Sequence, residues 1–238
     1  MLTVDFSRLE LKPGFRILDV GCGSGRHLGE AARYKDVLAV GSDLSPADLA
    51  QARARLNFHE KTGATGGGPW ETLAADATRL PFQDQSFDLV ICCEVLEHIP
   101  DHERAVRELA RVLKPGRDLV VSVPRYLPER VCWALSDDYH KANGGHIRIY
   151  RTAKLTALLE SAGVKVWNVH YAHGLHTPYW WLKCLLGPSR PNLKLVTLYH
   201  DLLVWDMMKR PPLTRTLEKL LNPLLGKSLV VYLKKPAA

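Results

Sequence analysis

Short apolar runs alternate with amphipathic stretches along the first half of the chain. ILDV (residues 17–20), VLAVGSD (residues 37–43) and SFDLVICC, which runs to Cys93, each end at or beside an acid or a glycine. Runs of this length read as strands buried on both faces, and the stretches between them, apolar at every third or fourth position, read as helices. The clearest helix runs from Asp101 to Leu113 and is closed by Lys114-Pro115-Gly116. Further on, Leu155–Ala162 (LTALLESA) is helical, Val164–Tyr171 alternates like a strand, and Ser228–Leu233 (SLVVYL) reads as a last strand. More than fifty residues separate those two strands, with helical apolar spacing in YWWLKCLLG, LKLVTLYHDLLVWDMM and LTRTLEKLLNPLLG. The alternation predicts an α/β fold with a parallel sheet, interrupted by a helical cap at residues 174–226 in which Trp180, Trp181, Trp205, Met207 and Met208 pack onto the core.

The first strand runs into Gly21-Cys22-Gly23-Ser24-Gly25, and a helix follows. Glycines at alternate positions let the backbone turn sharply and approach a ligand, and the helix start offers unpaired N–H groups. A dinucleotide fingerprint needs G-x-G-x-x-G, but Arg26 stands where its third glycine would be. Asp19, two residues before the first glycine, would repel a pyrophosphate and suits a ligand carrying an amino group and a sulfonium. NAD is therefore disfavoured. Asp43 follows Asp19 by 24 positions, the length of one helix and one strand, and a carboxylate there can take both ribose hydroxyls.

This string resembles motif I of the class I S-adenosylmethionine (SAM) methyltransferases. The order of the later blocks is similar too: Ala75-Asp76-Ala77 before Leu80-Pro81-Phe82, then the Phe87–Cys93 strand and Glu94-Val95-Leu96-Glu97-His98. The resemblance implies a Rossmann-like, seven-stranded, mostly parallel sheet with an antiparallel last pair. It implies SAM as cofactor, held by Asp19, Gly21, Cys22, Gly23, Gly25, Asp43, Leu44, Asp76, Ala77 and Glu94, with Asp76 at the adenine amino group.

With 238 residues, 46% of them hydrophobic, the chain is expected to form one domain. Its five cysteines, without C-x-x-C spacing, argue against a disulfide framework or zinc site and for reduced thiols in the cytoplasm. No basic start leads into an apolar run, and Tyr179–Leu186, the most apolar later stretch, is short and contains Lys183, so neither a targeting nor a transmembrane segment is expected. Charge is uneven. Residues 1–124 hold 15 Lys/Arg and 18 Asp/Glu, net −3, whereas residues 125–238 hold 17 and 7, net +10. The basic half reads either as a solvated surface or as a site for an anionic acceptor, and charge alone does not separate nucleic acid, saccharide and membrane.

Two further segments carry candidate chemistry. Pro124–Tyr150 follows the fifth strand and holds Asp137, Asp138, His140 and His146, with glycines at 144 and 145, so it is expected to bend over the reacting end as a lid. A hydroxyl acceptor must lose a proton during methyl transfer, and an aliphatic one needs a base as the new bond forms. His146 is the first choice for that base, with His98 and then His140 after it. Glu94, Glu97 and His98 form E-x-x-E-H, two hard oxygens and an imidazole that suit Mg²⁺ or Mn²⁺. The same string occurs in ubiquinone-type O-methyltransferases and small-RNA 2′-O-methyltransferases, where it holds a metal. In other relatives Glu94 lines the SAM pocket and Glu97 caps the helix.

No N/D-P-P-Y/F follows the fourth strand, so the pocket of amino-methylating relatives is absent and oxygen is the expected acceptor. The stretch from Val123 to Lys235 resembles a narrower group of methyltransferases associated with methylglucose lipopolysaccharide synthesis. The expected activity is O-methylation of a sugar or polysaccharide hydroxyl, the acceptor being a small molecule or saccharide, acylated or anionic. A quinone or phenolic O-methyltransferase and an RNA 2′-O-methyltransferase are the alternatives, nucleic acid being disfavoured because no aromatic single-strand platform is evident.

Overall fold

The computed structural model describes residues 2–141, 145–186, 193–209 and 211–237, with only the backbone described at 140 and 141. Seven strands form one sheet: β1 (Arg16–Val20), β2 (Leu38–Asp43), β3 (Trp70–Ala74), β4 (Phe87–Cys93), β5 (Leu113–Pro124), β6 (Lys165–Ala172) and β7 (Ser228–Lys234), in the order β3-β2-β1-β4-β5-β7-β6. β7 runs antiparallel to both its neighbours and every other pair is parallel. The mostly parallel Rossmann-like sheet with an antiparallel final pair is therefore as the sequence suggests.

Nine α-helices are assigned among the described residues: α1 (Arg26–Ala31), α2 (Pro46–Lys61), α3 (His102–Val112), α4 (Tyr126–Leu135), α5 (Asp137–Lys141), α6 (Thr152–Ser161), α7 (His176–Leu186), α8 (Lys194–Lys209) and α9 (Pro212–Leu225). Local chemistry sets two of the starts. Ser45 caps α2 through the Asp48 N–H with Pro46 in the first turn, and Asp101 caps α3 through the Arg104 N–H. Leu113, expected to end a helix, instead begins β5 opposite Phe87.

Successive strand residues face opposite sides of the sheet, so each central strand feeds two cores. Leu18, Val90 and Val121 pack with Leu109 of α3 and Leu159 of α6, while Ile17, Ile91 and Val120 pack with Leu28 of α1 and Leu56 of α2. Burial on both faces is why these strands read as continuous apolar runs. After β3 the chain returns across β1 to β4, and this reversal of strand order opens a crevice beyond the C-terminal ends of β1 and β4.

Candidate functional site: a glycine-walled pocket and a histidine pair

A cavity of about 660 Å³ fills that crevice. Gly21, Gly23 and Gly25 turn its wall with φ of +67°, +50° and +73°. At Gly21 a Cβ would come 2.3 Å from Val95 Cγ2, and at Gly25 it would come 2.9 Å from the Ala52 Cβ, so both positions exclude larger residues by space as well as by φ. Gly21, Cys22, Gly23, Asp43, Leu44, Asp76, Ala77, Glu94 and His98 all line the cavity. Gly25 and Asp19 are not among the lining residues: Gly25 is the N-cap of α1, and Asp19 stands behind the wall, where it accepts the Leu28 N–H at 3.0 Å.

The acids of this pocket are held by backbone. Asp43 accepts the Gly23 N–H at 2.8 Å and the Ser45 N–H at 2.9 Å, which aims the carboxylate at the rim of the glycine turn. Asp76 binds the Thr78 N–H and hydroxyl through Oδ1. Burial pushes the Asp19 carboxyl up to about 7, and the nearby Asp43 charge adds to the effect. Thr3, Arg26 and His27, which the sequence reading does not single out, also line the cavity, and the Thr3 N–H donates to His27 Nε2 at 3.0 Å. A nucleoside with a cationic tail fits this lining: the acids Asp43 and Asp76, a glycine cradle without side chains, and a buried carboxyl behind the wall whose ionisation a nearby cation would favour.

At the opposite end, Glu94 takes a φ of +58° after β4 and its Oε1 accepts the Ser122 hydroxyl at 2.9 Å. That turn carries it away from the metal-type grouping expected of E-x-x-E-H. The structure instead gathers Glu97, His98 and His146, with one ligand atom of each within 4.8 Å of the others. Glu97 is wholly buried and neither carboxylate oxygen has a hydrogen-bond partner. Burial, reinforced by the Glu94 charge, pushes its carboxyl well above the usual range. Burial, and then the neighbouring His146, hold His98 below the usual imidazole range.

His146 stands beside this end of the cavity rather than on its lining, with its ring centroid 5.0 Å from that of His98. Its Nδ1–H donates to Glu129 Oε1 at 2.5 Å, and Lys227 Nζ lies 3.6 Å from Glu129 Oε2. Burial raises the Glu129 carboxyl, but the His146 hydrogen bond and the Lys227 charge outweigh it and hold the group below the usual range. Glu129 is the functional candidate missed from the sequence; it lies on α4, 17 positions before His146, with no motif to connect them. The segment carrying His146 is tied to the loop after β4: Ile147 N–H donates to Glu97 O at 3.1 Å, His98 Nδ1–H donates to Gly145 O at 3.2 Å, and Arg148 donates to the carbonyls of Leu96, Ile99 and Pro100. Gly144 and the side chain of His140 lie outside the described residues. Neither residues 124–150 nor the helices α7–α9 contribute a lining residue to this cavity among those described; α9 instead walls a second one.

Residues 18–121 match the methyltransferase domain family model. Methyltransferase GfsG of Streptomyces halstedii is 35% identical over 117 residues, 49% of this chain and 40% of that protein. The ubiquinone biosynthesis O-methyltransferase of Hahella chejuensis is 35% identical over 129 residues, 52% and 49% of the two chains. The chain thus spans about half or less of the length of these relatives. Among solved structures, a SAM-dependent methyltransferase from Methanosarcina mazei superposes with a TM-score of 0.59 at 17% identity, covering 96% of this chain and 95% of that one. The [4+2]-cyclase SpnF superposes at 0.63 and 21% identity, covering 98% and 79%. Sheet order and glycine-walled crevice define the class, a Rossmann-like methyltransferase fold. The chain carries a class I SAM-dependent methyltransferase domain, centred on residues 18–121. A cyclase on the same fold shows that the reaction has to be argued from the site.

Proposed function

We propose that the protein is a SAM-dependent O-methyltransferase acting on a hydroxyl of a sugar or polysaccharide, in the setting of methylglucose lipopolysaccharide synthesis that the resemblance of its C-terminal half implies. The Glu129–His146 pair beside His98 carries this reading. Glu129 accepts from Nδ1 of His146, which leaves Nε2 as the ring's lone pair and stabilises the imidazolium once a proton arrives. SAM, when bound, supplies an electrophilic methyl on sulfur. The protein's part is alignment and proton removal: Gly21 and Gly23 admit the cofactor backbone-close, Asp43 takes the ribose hydroxyls, and Asp76 takes the adenine amino group. As the acceptor oxygen bonds to carbon and the sulfur–carbon bond breaks, the hydroxyl proton passes to His146 Nε2, and Glu129 acts as the positioning residue.

The insertion supports an acylated or anionic acceptor. Leu198 and Leu202 of α8 and Leu213, Leu217, Leu220 and Leu224 of α9 are all exposed, in the half of the chain whose net charge is +10. No helix among the described residues is long and apolar enough to cross a membrane.

A quinone or phenol acceptor is the second reading. The likeness to a ubiquinone biosynthesis O-methyltransferase favours it, as does the unpartnered Glu97 carboxylate beside two imidazoles. These three residues would hold a divalent ion that lowers the pKa of a bound hydroxyl, and two nitrogens with one oxygen suit Mn²⁺ better than Mg²⁺. Tritiated-methyl transfer from SAM to free and acylated glucosides, catechols and RNA, with and without EDTA, separates the readings. Label on a glucoside that persists in EDTA is the expected outcome; label on catechol that EDTA abolishes overturns it in favour of the second reading.

A further inference from the structure

A second group of buried polar side chains lies where β6 runs into α7, away from the residues used above. His173 leaves β6 with a φ of +67°, His176 opens α7, and Glu218 comes from α9; all three are buried. One ring nitrogen of each histidine and one carboxylate oxygen of Glu218 lie within 4.8 Å of one another. Hydrogen bonding explains only the outer atoms of this cluster. The Thr3 hydroxyl pairs with Nε2 of His173 at 3.1 Å, and Arg215 holds Glu218 Oε2 at 3.0 Å. What faces inward is unsatisfied: Glu218 Oε1 and His176 Nδ1 have no partner, and His173 Nδ1 is 3.9 Å from Glu218 Oε1, too far for a hydrogen bond. In the tautomer that gives Nε2–H to the Thr3 hydroxyl, the lone pair of His173 Nδ1 joins an imidazole nitrogen and a carboxylate oxygen converging on one point. Acceptors that converge without a donor repel unless a cation lies between them.

We propose that His173, His176 and Glu218 bind a divalent transition ion, Zn²⁺ by ligand type. Two imidazoles and one carboxylate form a borderline nitrogen-oxygen set that favours zinc over magnesium or calcium. Metal–ligand bonds of about 2.0–2.2 Å would place tetrahedral ligand atoms roughly 3.3 to 3.6 Å apart, so the His173–Glu218 pair, at 3.9 Å, has to close by about half an ångström. Thr3 and Arg215 then act as the outer partners that orient a ligating imidazole and carboxylate. The ion fastens the start and end of the helical insertion, α7 and α9, to the edge strand β6. His173 and Glu218 also line a cavity of about 740 Å³, and Thr3 borders both this cavity and the glycine-walled one, so the ion's position bears on the N-terminal segment that crosses the cofactor pocket.

The test is zinc content after loading the full chain with Zn²⁺ and desalting, measured for the wild type and for His98→Gln, His176→Gln and Glu218→Gln, beside the thermal midpoint of each with and without chelator. His98→Gln disables the other metal-type group. The expected result is that wild type and H98Q each retain about one ion at the proposed site, that H176Q and E218Q lose it, and that their midpoints no longer respond to chelator. Co²⁺ loading should give four-coordinate visible bands in H98Q that E218Q lacks. If H176Q or E218Q fails to fold, the wild type and H98Q still decide. A wild type that retains no ion overturns the proposal, and so does an H98Q protein that retains none, since the ion would then belong beside the cofactor.

Discussion

Around the ends of β1 and β4 the buried groups shifted toward their neutral forms are carboxyls, Asp19 and Glu97; along the N-terminal segment and β6 they are imidazoles, His27, which Thr3 caps at the edge of the cofactor pocket, and His170. Burial pushes Asp19 up to about 7, and the Asp43 charge adds to this. Burial drives His27 down to about 3, helped by Arg26, and His170 to about 4, helped by Arg8. Buried acids without cations have use where a cationic ligand arrives and supplies the missing charge. Neutral buried imidazoles keep lone pairs available as acceptors, as His27 does for Thr3. The cofactor end therefore carries electrostatic cost until its ligand binds, while the β6 end offers ligand atoms.

The sharpest break in this comparison is at His146, which stands beside the buried Glu97 of the cofactor end. His146→Ala should lower turnover by about 10²- to 10⁴-fold, the usual contribution of a general base, with S-adenosylhomocysteine affinity nearly intact and partial rescue at higher pH. Turnover within about threefold of wild type would remove His146 as the base.

The opposed titrations give the next effect. A histidine with a depressed folded value contributes stability that is present above its unfolded value of 6.5 and is lost as pH falls toward the folded one, about 3 for His27. An acid with a raised folded value behaves oppositely: the contribution of Asp19 is present below its ordinary value of 3.8 and is lost as pH rises through about 7. Between pH 7 and 4 each is worth about 3 kcal/mol, and the two oppose. Asp19→Asn should therefore make the thermal midpoint fall more steeply on acidification than in wild type, and His27→Gln should make it fall less. Parallel curves for all three proteins would show that neither group is perturbed.

Within the cofactor end, Asp43→Ala should weaken S-adenosylhomocysteine by about 1.5 to 3 kcal/mol in titration calorimetry, the scale of a hydrogen bond to a charged group. NAD binding tighter than S-adenosylhomocysteine would overturn the pocket's assignment. The smallest effect belongs to the insertion. Leu198→Gln with Leu220→Gln should leave cofactor affinity unchanged while raising KM for an acylated glucoside by roughly fivefold, about 1 kcal/mol of lost apolar contact. An equal change for a free glucoside would argue against recognition of the acyl chain.

The strand segments and the glycine turn could be read from the chain because each depends on neighbours close in sequence, and Asp43 and Asp76, expected at the ribose and the adenine, both line the pocket. Continuous apolar runs mark strands buried on both faces, and Gly21 and Gly25 occupy positive-φ positions that a Cβ would also crowd. Asp19 was legible as a cofactor-end acid, but its place behind the wall was not, because the bond to Leu28 N–H depends on how α1 docks. Only tertiary structure decided the rest. E-x-x-E-H suggested Glu94, Glu97 and His98 as one group, yet Glu94 turns to Ser122 with a positive φ, and the ties of Gly145 and Ile147 to His98 and Glu97 set His146 beside the other two. Glu129 gains its role from a histidine 17 residues on, and Glu218 meets His173 from 45 residues away. Sequence periodicity specifies which face a side chain occupies; which other face it meets is settled by loop closure and helix docking, and those are sums over contacts that no local pattern encodes.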